Sequence, residues 1–158
     1  MSGALTALAG TALGGMVALG VELVKGRNDE RADRRNALLR SCSDFTAHLT
    51  RIRSLCYNLD GPGNRARVQT AIEDARVECE RLRLLLESKQ TQEAARMAVR
   101  HIYAVWSLAD KGADPRADEY PGTSPSSRLR ESLTAVYIGV RRETGSRHPE
   151  QVFVELPD

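Results

Sequence analysis

The chain has 158 residues, and its 23 lysines and arginines barely outnumber its 21 acidic residues. Because the two signs are mixed along the chain and leave a net charge of +2, no one-signed surface predicts binding to a nucleic-acid backbone. The three cysteines, Cys42, Cys56 and Cys79, are odd in number and lack the spacing of metal ligands. We therefore expect no disulfide framework, no metal, no cofactor and no nucleic-acid partner.

The first segment, residues 1–25, carries no charge from Ser2 to Val21 and consists mainly of Ala, Gly, Leu, Val, Thr and Met. About 20 uncharged helical residues span the hydrocarbon core of a bilayer, which predicts a single-pass transmembrane anchor. Basic residues follow the run and none precedes it, so the N-terminus is expected outside and the C-terminal domain in the cytoplasm. A cleavable signal peptide fits less well, since no small-residue cleavage site ends the run. A buried or surface helix of a soluble protein is the other alternative.

Small residues recur along this helix at intervals of about one turn. They form a face that consists of Gly3, Ala7, Gly10, Thr11, Gly14, Gly15 and Ala18. Such a face lets two helix backbones approach closely, as in the small-xxx-small pattern of membrane helices. It is the candidate surface for helix packing in a homodimer.

Residues 26–37 predict a charged juxtamembrane stalk, because they include no large apolar side chain. Gly26 is a candidate break in the helix, and Asn28 is a good N-cap for the helix that follows. The basic residues expected to meet anionic lipid headgroups are Lys25, Arg27, Arg31, Arg34 and Arg35.

Residues 38–142 predict a cytosolic helical bundle. Apolar residues follow steps of four and three from Leu38 to Leu59, and the same steps return from Val68 to Leu86. The turn sequence DGPG separates the two runs and would end the first helix. Two matched stripes joined by a short turn predict an antiparallel helical hairpin.

Two more helices complete the predicted bundle. The third is expected from its N-cap Thr91 to about Lys111, and the fourth follows the cap Ser124. Residues 111–126 hold three prolines and two glycines and should form a loop. The predicted fold is thus all-α: a single N-terminal transmembrane helix followed by an antiparallel four-helix bundle. Residues 143–158 are expected to be a flexible tail, with an extended segment at its end as the alternative.

One short pattern in the third helix resembles a catalytic signature. Arg96 and His101 are separated by four residues, as in the Arg-x4-His motif of HEPN-family ribonucleases, which are all-helical and use these two side chains on an RNA phosphodiester. The resemblance covers six residues, and Met97 stands where the motif usually has a polar residue. It implies Arg96 and His101 as the catalytic residues of an alternative ribonuclease function.

The layout as a whole resembles the small membrane-anchored helical proteins of high-GC actinobacteria. The Ala/Gly-rich segment AGTALGGMVALGVELVKGR precedes the Arg-rich stalk NDERADRRNALLR, and a helical bundle follows. That group has no assigned activity, so the resemblance implies a location and a fold only.

The sequence favours binding over catalysis. It predicts a membrane-tethered cytosolic interaction or scaffold module without catalytic activity, whose protein partner it does not identify. The alternatives are the ribonuclease and a membrane-active phage- or stress-related protein that permeabilises the bilayer.

Overall fold

The computed structural model describes the backbone of residues 3–146 and the side-chain surroundings of residues 29–146. The described residues form helices and connecting turns without any strand, which confirms the all-α class and the helical bundle. The helices are α1 (Gly3–Cys56), α2 (Asn64–Leu85), α3 (Lys89–Lys111) and α4 (Pro125–Glu143), with a 3₁₀ turn at Ala117–Glu119.

Helix α1 continues through Gly26, where we predicted a break. That prediction was wrong because one glycine inside a helix costs only about 1 kcal/mol, which its neighbours can offset. The chain divides into two compact units, Met1–Asn36 and Ala37–Asp158. Within the first unit, every residue whose side chain is described, from Asp29 to Asn36, is exposed.

Several predictions concern residues outside those that the structure describes. The structure does not describe the side chains of residues 1–28 or any part of the tail from residue 147 onward. The predicted anchor, its small-residue face and the basic residues Lys25 and Arg27 therefore lie outside the described residues. Among the described residues, no helix is both long enough and apolar enough to cross a bilayer.

The two heptad stripes form the core of the second unit. Phe45, Ile52, Val68 and Leu82 are completely buried, and only Cys56 of the predicted stripe positions is half-buried. Burial of an apolar side chain of this size stabilises the folded state by about 1.5–3 kcal/mol. The buried cluster further includes Leu38, Cys42, Leu49, Leu59, Ile72, Ala75, Cys79, Leu86, Ala95, Ala98, Ile102, Trp106, Leu129, Leu133, Val136 and Val140.

Contacts at the helix ends show that α3 is antiparallel to both of its sequence neighbours. Arg65, near the start of α2, forms an ion pair of 2.9 Å with Asp110, near the end of α3. The carboxylate of Glu143, at the end of α4, accepts hydrogen bonds of 2.9 and 3.0 Å from the backbone N–H groups of Glu87 and Ser88, just before α3 begins.

The cap of α3 differs from the prediction, whereas that of α4 agrees with it. Ser88, not Thr91, caps α3, and its hydroxyl accepts a hydrogen bond from the N–H of Thr91. Thr91 is instead buried against α4, where a Cβ built on Gly139 would lie 2.1 Å from its Oγ1. Ser124 caps α4 as predicted, and Pro125 occupies the first turn, where its missing N–H is not needed.

Helix α4 extends slightly beyond residue 142, the predicted end of the bundle. Gly145 has a φ of 76°, and its N–H donates to the carbonyl of Arg142 while the N–H of Ser146 donates to that of Arg141. This is the Schellman arrangement, which satisfies the last carbonyl groups of a helix. Residues 144–146 therefore belong to the helix cap.

Candidate functional site

One buried arginine holds the loop between α3 and α4 in place. Arg128 is 2% exposed, and its guanidinium group donates to the carboxylate of Asp114 and, over 3.2 Å, to the carbonyl oxygen of Arg116. The same group lies 4.7 Å from the ring centre of Tyr120. Because cation–π contacts and charge-assisted hydrogen bonds strengthen away from water, Arg128 ties the loop to the first turn of α4.

His101 is buried beside this loop and is held in its neutral form. Its ring meets the ring of Tyr120 edge to face, with the centres 5.4 Å apart. Burial, together with the nearby positive charges of Arg128 and Arg116, lowers the pKa of His101 to about 4. Nδ1 of His101 has no hydrogen-bond partner among the described residues.

A cleft of about 680 Å³ lies where α2, α3 and this loop meet, and we call it the arginine cleft. Helix α3 contributes side chains from successive turns, because Arg96, Arg100 and Tyr103 are spaced by four and three residues. The lining comprises the arginines Arg76, Arg96, Arg100 and Arg116, the glutamates Glu80 and Glu119, and the less polar residues Cys79, Val99, Tyr103 and Pro115.

Both glutamates of the arginine cleft are already neutralised by neighbouring arginines. Glu80 forms an ion pair of 2.7 Å with Arg83, and Glu119 forms one of 2.5 Å with Arg116. The hydrogen bond from Arg116 is the main reason why the pKa of Glu119 is lowered, and the nearby charge of Arg100 acts in the same direction. The carboxylate of Glu119 therefore stays ionised, and both glutamates are engaged with arginine partners.

The remaining arginines of the cleft are less compensated. Arg96 forms an ion pair of 3.2 Å with Glu93, which lies outside the lining. Among the described residues, Arg76 and Arg100 are exposed and have no carboxylate within ion-pair distance; Arg100 donates a hydrogen bond to the sulfur of Met97 over 3.9 Å. Two guanidinium groups thus face solvent with their charge uncompensated.

The surroundings of Cys79, whose thiol is the one in the cleft lining, make it unreactive. Burial, with a smaller contribution from Glu80, raises the pKa of Cys79 to about 11, against the opposing effect of Arg83 and Arg96. The thiol therefore remains protonated near neutral pH, and a protonated buried cysteine behaves as a small apolar side chain. It forms part of an apolar wall with Val99 and Tyr103.

The structure places the two residues of the HEPN-like pattern in different surroundings. Arg96 is exposed in the arginine cleft, whereas His101 is 3% exposed. Five positions along an α-helix correspond to a rotation of about 140° from one side chain to the other. The structure does not bring this pair together in one opening, and the ribonuclease alternative stays a prediction.

The other predicted site residues are divided between described and undescribed parts of the chain. Arg31, Arg34 and Arg35, which are predicted to meet lipid headgroups, are exposed on α1. The described residues contain no group of three side chains able to hold a metal ion.

Neither the arginine cleft nor its buried neighbour Arg128 was predicted from the sequence. The four-residue spacing of Arg96 and Arg100 beside an apolar stripe was a signal for a basic ridge on α3. Arg128 stands immediately before Leu129 and three residues after Pro125, within the buried face of α4. A charged residue at such a position, close to a loop with carboxylates, could have been recognised as a buried ion pair.

The chain matches no protein-family model, no curated protein and no solved structure.

Proposed function

We propose that the protein is a membrane-tethered helical module that acts by binding and not by catalysis. The observation that carries this proposal is the arginine cleft, an open depression between α2, α3 and the loop with uncompensated guanidinium groups beside an apolar wall. Binding sites are commonly concave and combine apolar surface with polar groups that orient the ligand, and the arginine cleft has both.

Two titratable side chains, Cys79 in the cleft lining and His101 beside the loop, favour binding over chemistry. A general base works best with a pKa near the operating pH, but the pKa of buried His101 is lowered to about 4. A nucleophilic cysteine needs a lowered pKa, but that of Cys79 is raised to about 11. Neither side chain is prepared for proton transfer or attack near neutral pH.

The tether is proposed from the sequence of residues 1–25. The uncharged run from Ser2 to Val21 is long enough to span the hydrocarbon core, and the basic residues that follow favour a cytoplasmic position for the bundle at the cell membrane. The exposed stretch from Asp29 to Asn36 supports a solvated connection between the two. In this arrangement Arg31, Arg34 and Arg35 would lie near the lipid headgroups.

Membrane extraction tests the tether. The full chain should stay in the membrane pellet after washing with alkaline carbonate, which removes peripheral proteins. The double substitution Leu13→Arg and Val17→Arg should release it, because each arginine near the helix centre opposes insertion by about 2.5–3.5 kcal/mol. The matched control, Ala32→Arg in the exposed stalk, should be retained. Release of the wild-type chain by carbonate would overturn the tether.

A further inference from the structure

We propose that the arginine cleft binds a small organic phosphate that carries an aromatic ring. This inference names the ligand class for the binding function proposed above and rests on that function. It is carried by three features of the cleft: its uncompensated charge, its apolar wall and its size.

The charge of the cleft fits a phosphate dianion. Once the ion pairs of Glu80, Glu119 and Arg96 are formed, Arg76 on α2 and Arg100 on α3 remain without a carboxylate among the described residues. Two guanidinium groups balance the two negative charges of a phosphate monoester, whereas a single carboxylate would balance only one. The planar guanidinium fork also donates paired hydrogen bonds with the geometry that phosphate oxygens accept.

The apolar wall fits a ring attached to that phosphate. Tyr103 lines the cleft, is 37% exposed, and packs edge to face against Trp106 with 5.2 Å between the ring centres. This packing restrains the phenol ring, so that it offers a surface for stacking at little cost in entropy. Val99, which is half-buried, adds apolar area beside it.

The size of the cleft leaves room for a ligand larger than an inorganic ion. A volume of about 680 Å³ lies within the usual range of about 300–1,000 Å³ for small-molecule sites and far exceeds what an inorganic ion fills. An inorganic phosphate could satisfy the arginines but would leave the wall against Tyr103 and Val99 unoccupied. The organic part of the ligand should consequently contribute to affinity.

Calorimetric titration of the full chain tests the proposal. The protein is held in phosphate-free dodecyl maltoside micelles and titrated with phenyl phosphate, AMP and inorganic phosphate, with phenol and adenosine as uncharged controls. We expect phenyl phosphate or AMP to bind about tenfold more tightly than inorganic phosphate. Phenyl phosphate should also bind about tenfold more tightly than phenol, or AMP about tenfold more tightly than adenosine. Tighter binding of AMP than of phenyl phosphate would support the proposal and point to a nucleotide, and equal binding would support it for aromatic phosphates in general.

Substitutions in the cleft locate the binding. Arg76→Gln and Arg100→Gln should each weaken binding of the tighter organic phosphate about ten- to hundredfold, the usual effect of losing a charge-assisted hydrogen bond. Arg67→Gln is the matched control, because Arg67 is also exposed on α2 but does not line the cleft. All three side chains are exposed, so circular dichroism should show an intact fold.

Four results would overturn the proposal: no binding of either organic phosphate, equally tight binding of inorganic phosphate, equal binding of the uncharged controls, or equal effects of Arg100→Gln and Arg67→Gln. Retention in the membrane is measured independently of phosphate binding. If the chain resists carbonate extraction but binds no phosphate, the proposed ligand class is wrong and the proposed tether is unaffected. If carbonate releases the chain, the same titration runs without detergent, and phosphate binding would then stand without the tether.

Discussion

Arg128 and Asp114 form an ion pair that is almost completely withdrawn from solvent, with side chains 1% and 11% exposed. The pair joins the first turn of α4 to the loop that contributes Pro115, Arg116 and Glu119 to the arginine cleft. Because the loop contains few apolar side chains, this pair and the contact with Tyr120 determine where the loop lies. The shape of the cleft therefore depends on a residue outside its lining.

Breaking this ion pair should strongly destabilise the bundle. Arg128→Met leaves the carboxylate of Asp114 with little access to water, and loss of one partner from a buried pair costs about 3–5 kcal/mol. The matched control is Arg65→Met, which breaks the pair with Asp110; the side chain of Arg65 is 66% exposed, so the cost should be about 1 kcal/mol or less. Urea unfolding followed by circular dichroism measures both, and equal losses would contradict a special role for Arg128.

Because Gly139 packs against Thr91, a larger residue at position 139 should destabilise the folded protein. A Cβ at Gly139 would lie 2.1 Å from Oγ1 and 2.4 Å from Cγ2 of Thr91, so Gly139→Ala should lower the free energy of unfolding by about 1–3 kcal/mol. Thr91→Ala removes both of these atoms and should partly restore stability in the double variant.

The control for this experiment is Gly145→Ala. Gly145 has open space around it but a φ of 76°, so its substitution should cost about 1 kcal/mol through backbone strain and should not respond to Thr91→Ala. Additive effects of Gly139→Ala and Thr91→Ala in the urea midpoints would show that the two helices do not meet as described.

His101 should make the bundle sensitive to acid. Its pKa is about 4 in the folded state and 6.5 in the unfolded reference, so the unfolded chain takes up a proton first as the pH falls. Stability should decrease from about pH 6.5 towards pH 4, by up to about 3 kcal/mol at about 1.4 kcal/mol per pKa unit, and His101 should have no such effect above that window.

The variant His101→Leu should be less sensitive to acid over the same window. It removes the titrating group and the unpartnered Nδ1, so its free energy of unfolding should fall less between pH 6.5 and 4 than that of the wild type. His48→Leu is the control, because His48 is half-buried on α1 and lies outside the cluster of Arg128 and Tyr120. Equal acid sensitivity of His101→Leu and wild type would contradict this account.

The helical bundle was predictable from sequence because each core position repeats at the helix period, so that residues such as Phe45, Val68 and Leu133 mark their own buried faces. The caps were less certain, since Ser88 and Thr91 are both good N-cap residues three positions apart and only packing against Gly139 distinguishes them. Gly26 shows the same limit, because a helix can absorb the cost of a single glycine.

The arginine cleft was not predictable in the same way, because it is produced by three segments that are distant in sequence. Arg76 and Arg100 each look like ordinary solvated residues within their own helices. Their shared opening depends on how α2 packs against α3 and on the loop position that buried Arg128 determines. The periodicity of residues within one helix predicts neither the packing of α2 against α3 nor the position of the loop.

Self-association through the small-residue face of the proposed anchor should depend on its glycines. Gly10→Leu and Gly14→Leu would separate the helix backbones and should each shift the chain from dimer towards monomer in a lipid bilayer. Val17→Leu is the control, because it changes side-chain size in the same run but lies outside the predicted face. Energy transfer between labelled chains in vesicles measures the effect, and equal transfer in all variants would exclude this dimer.

Protease access to the C-terminus measures directly whether the chain is tethered with its bundle on the cytoplasmic side of the membrane. A C-terminal tag on the full chain is exposed to protease in intact spheroplasts and again after the spheroplasts are opened. We expect the tag to survive in intact spheroplasts, to be cleaved after opening, and to sediment with the membranes before cleavage. Cleavage in intact spheroplasts would contradict the predicted orientation, and recovery of the uncleaved chain in the supernatant would contradict the tether itself.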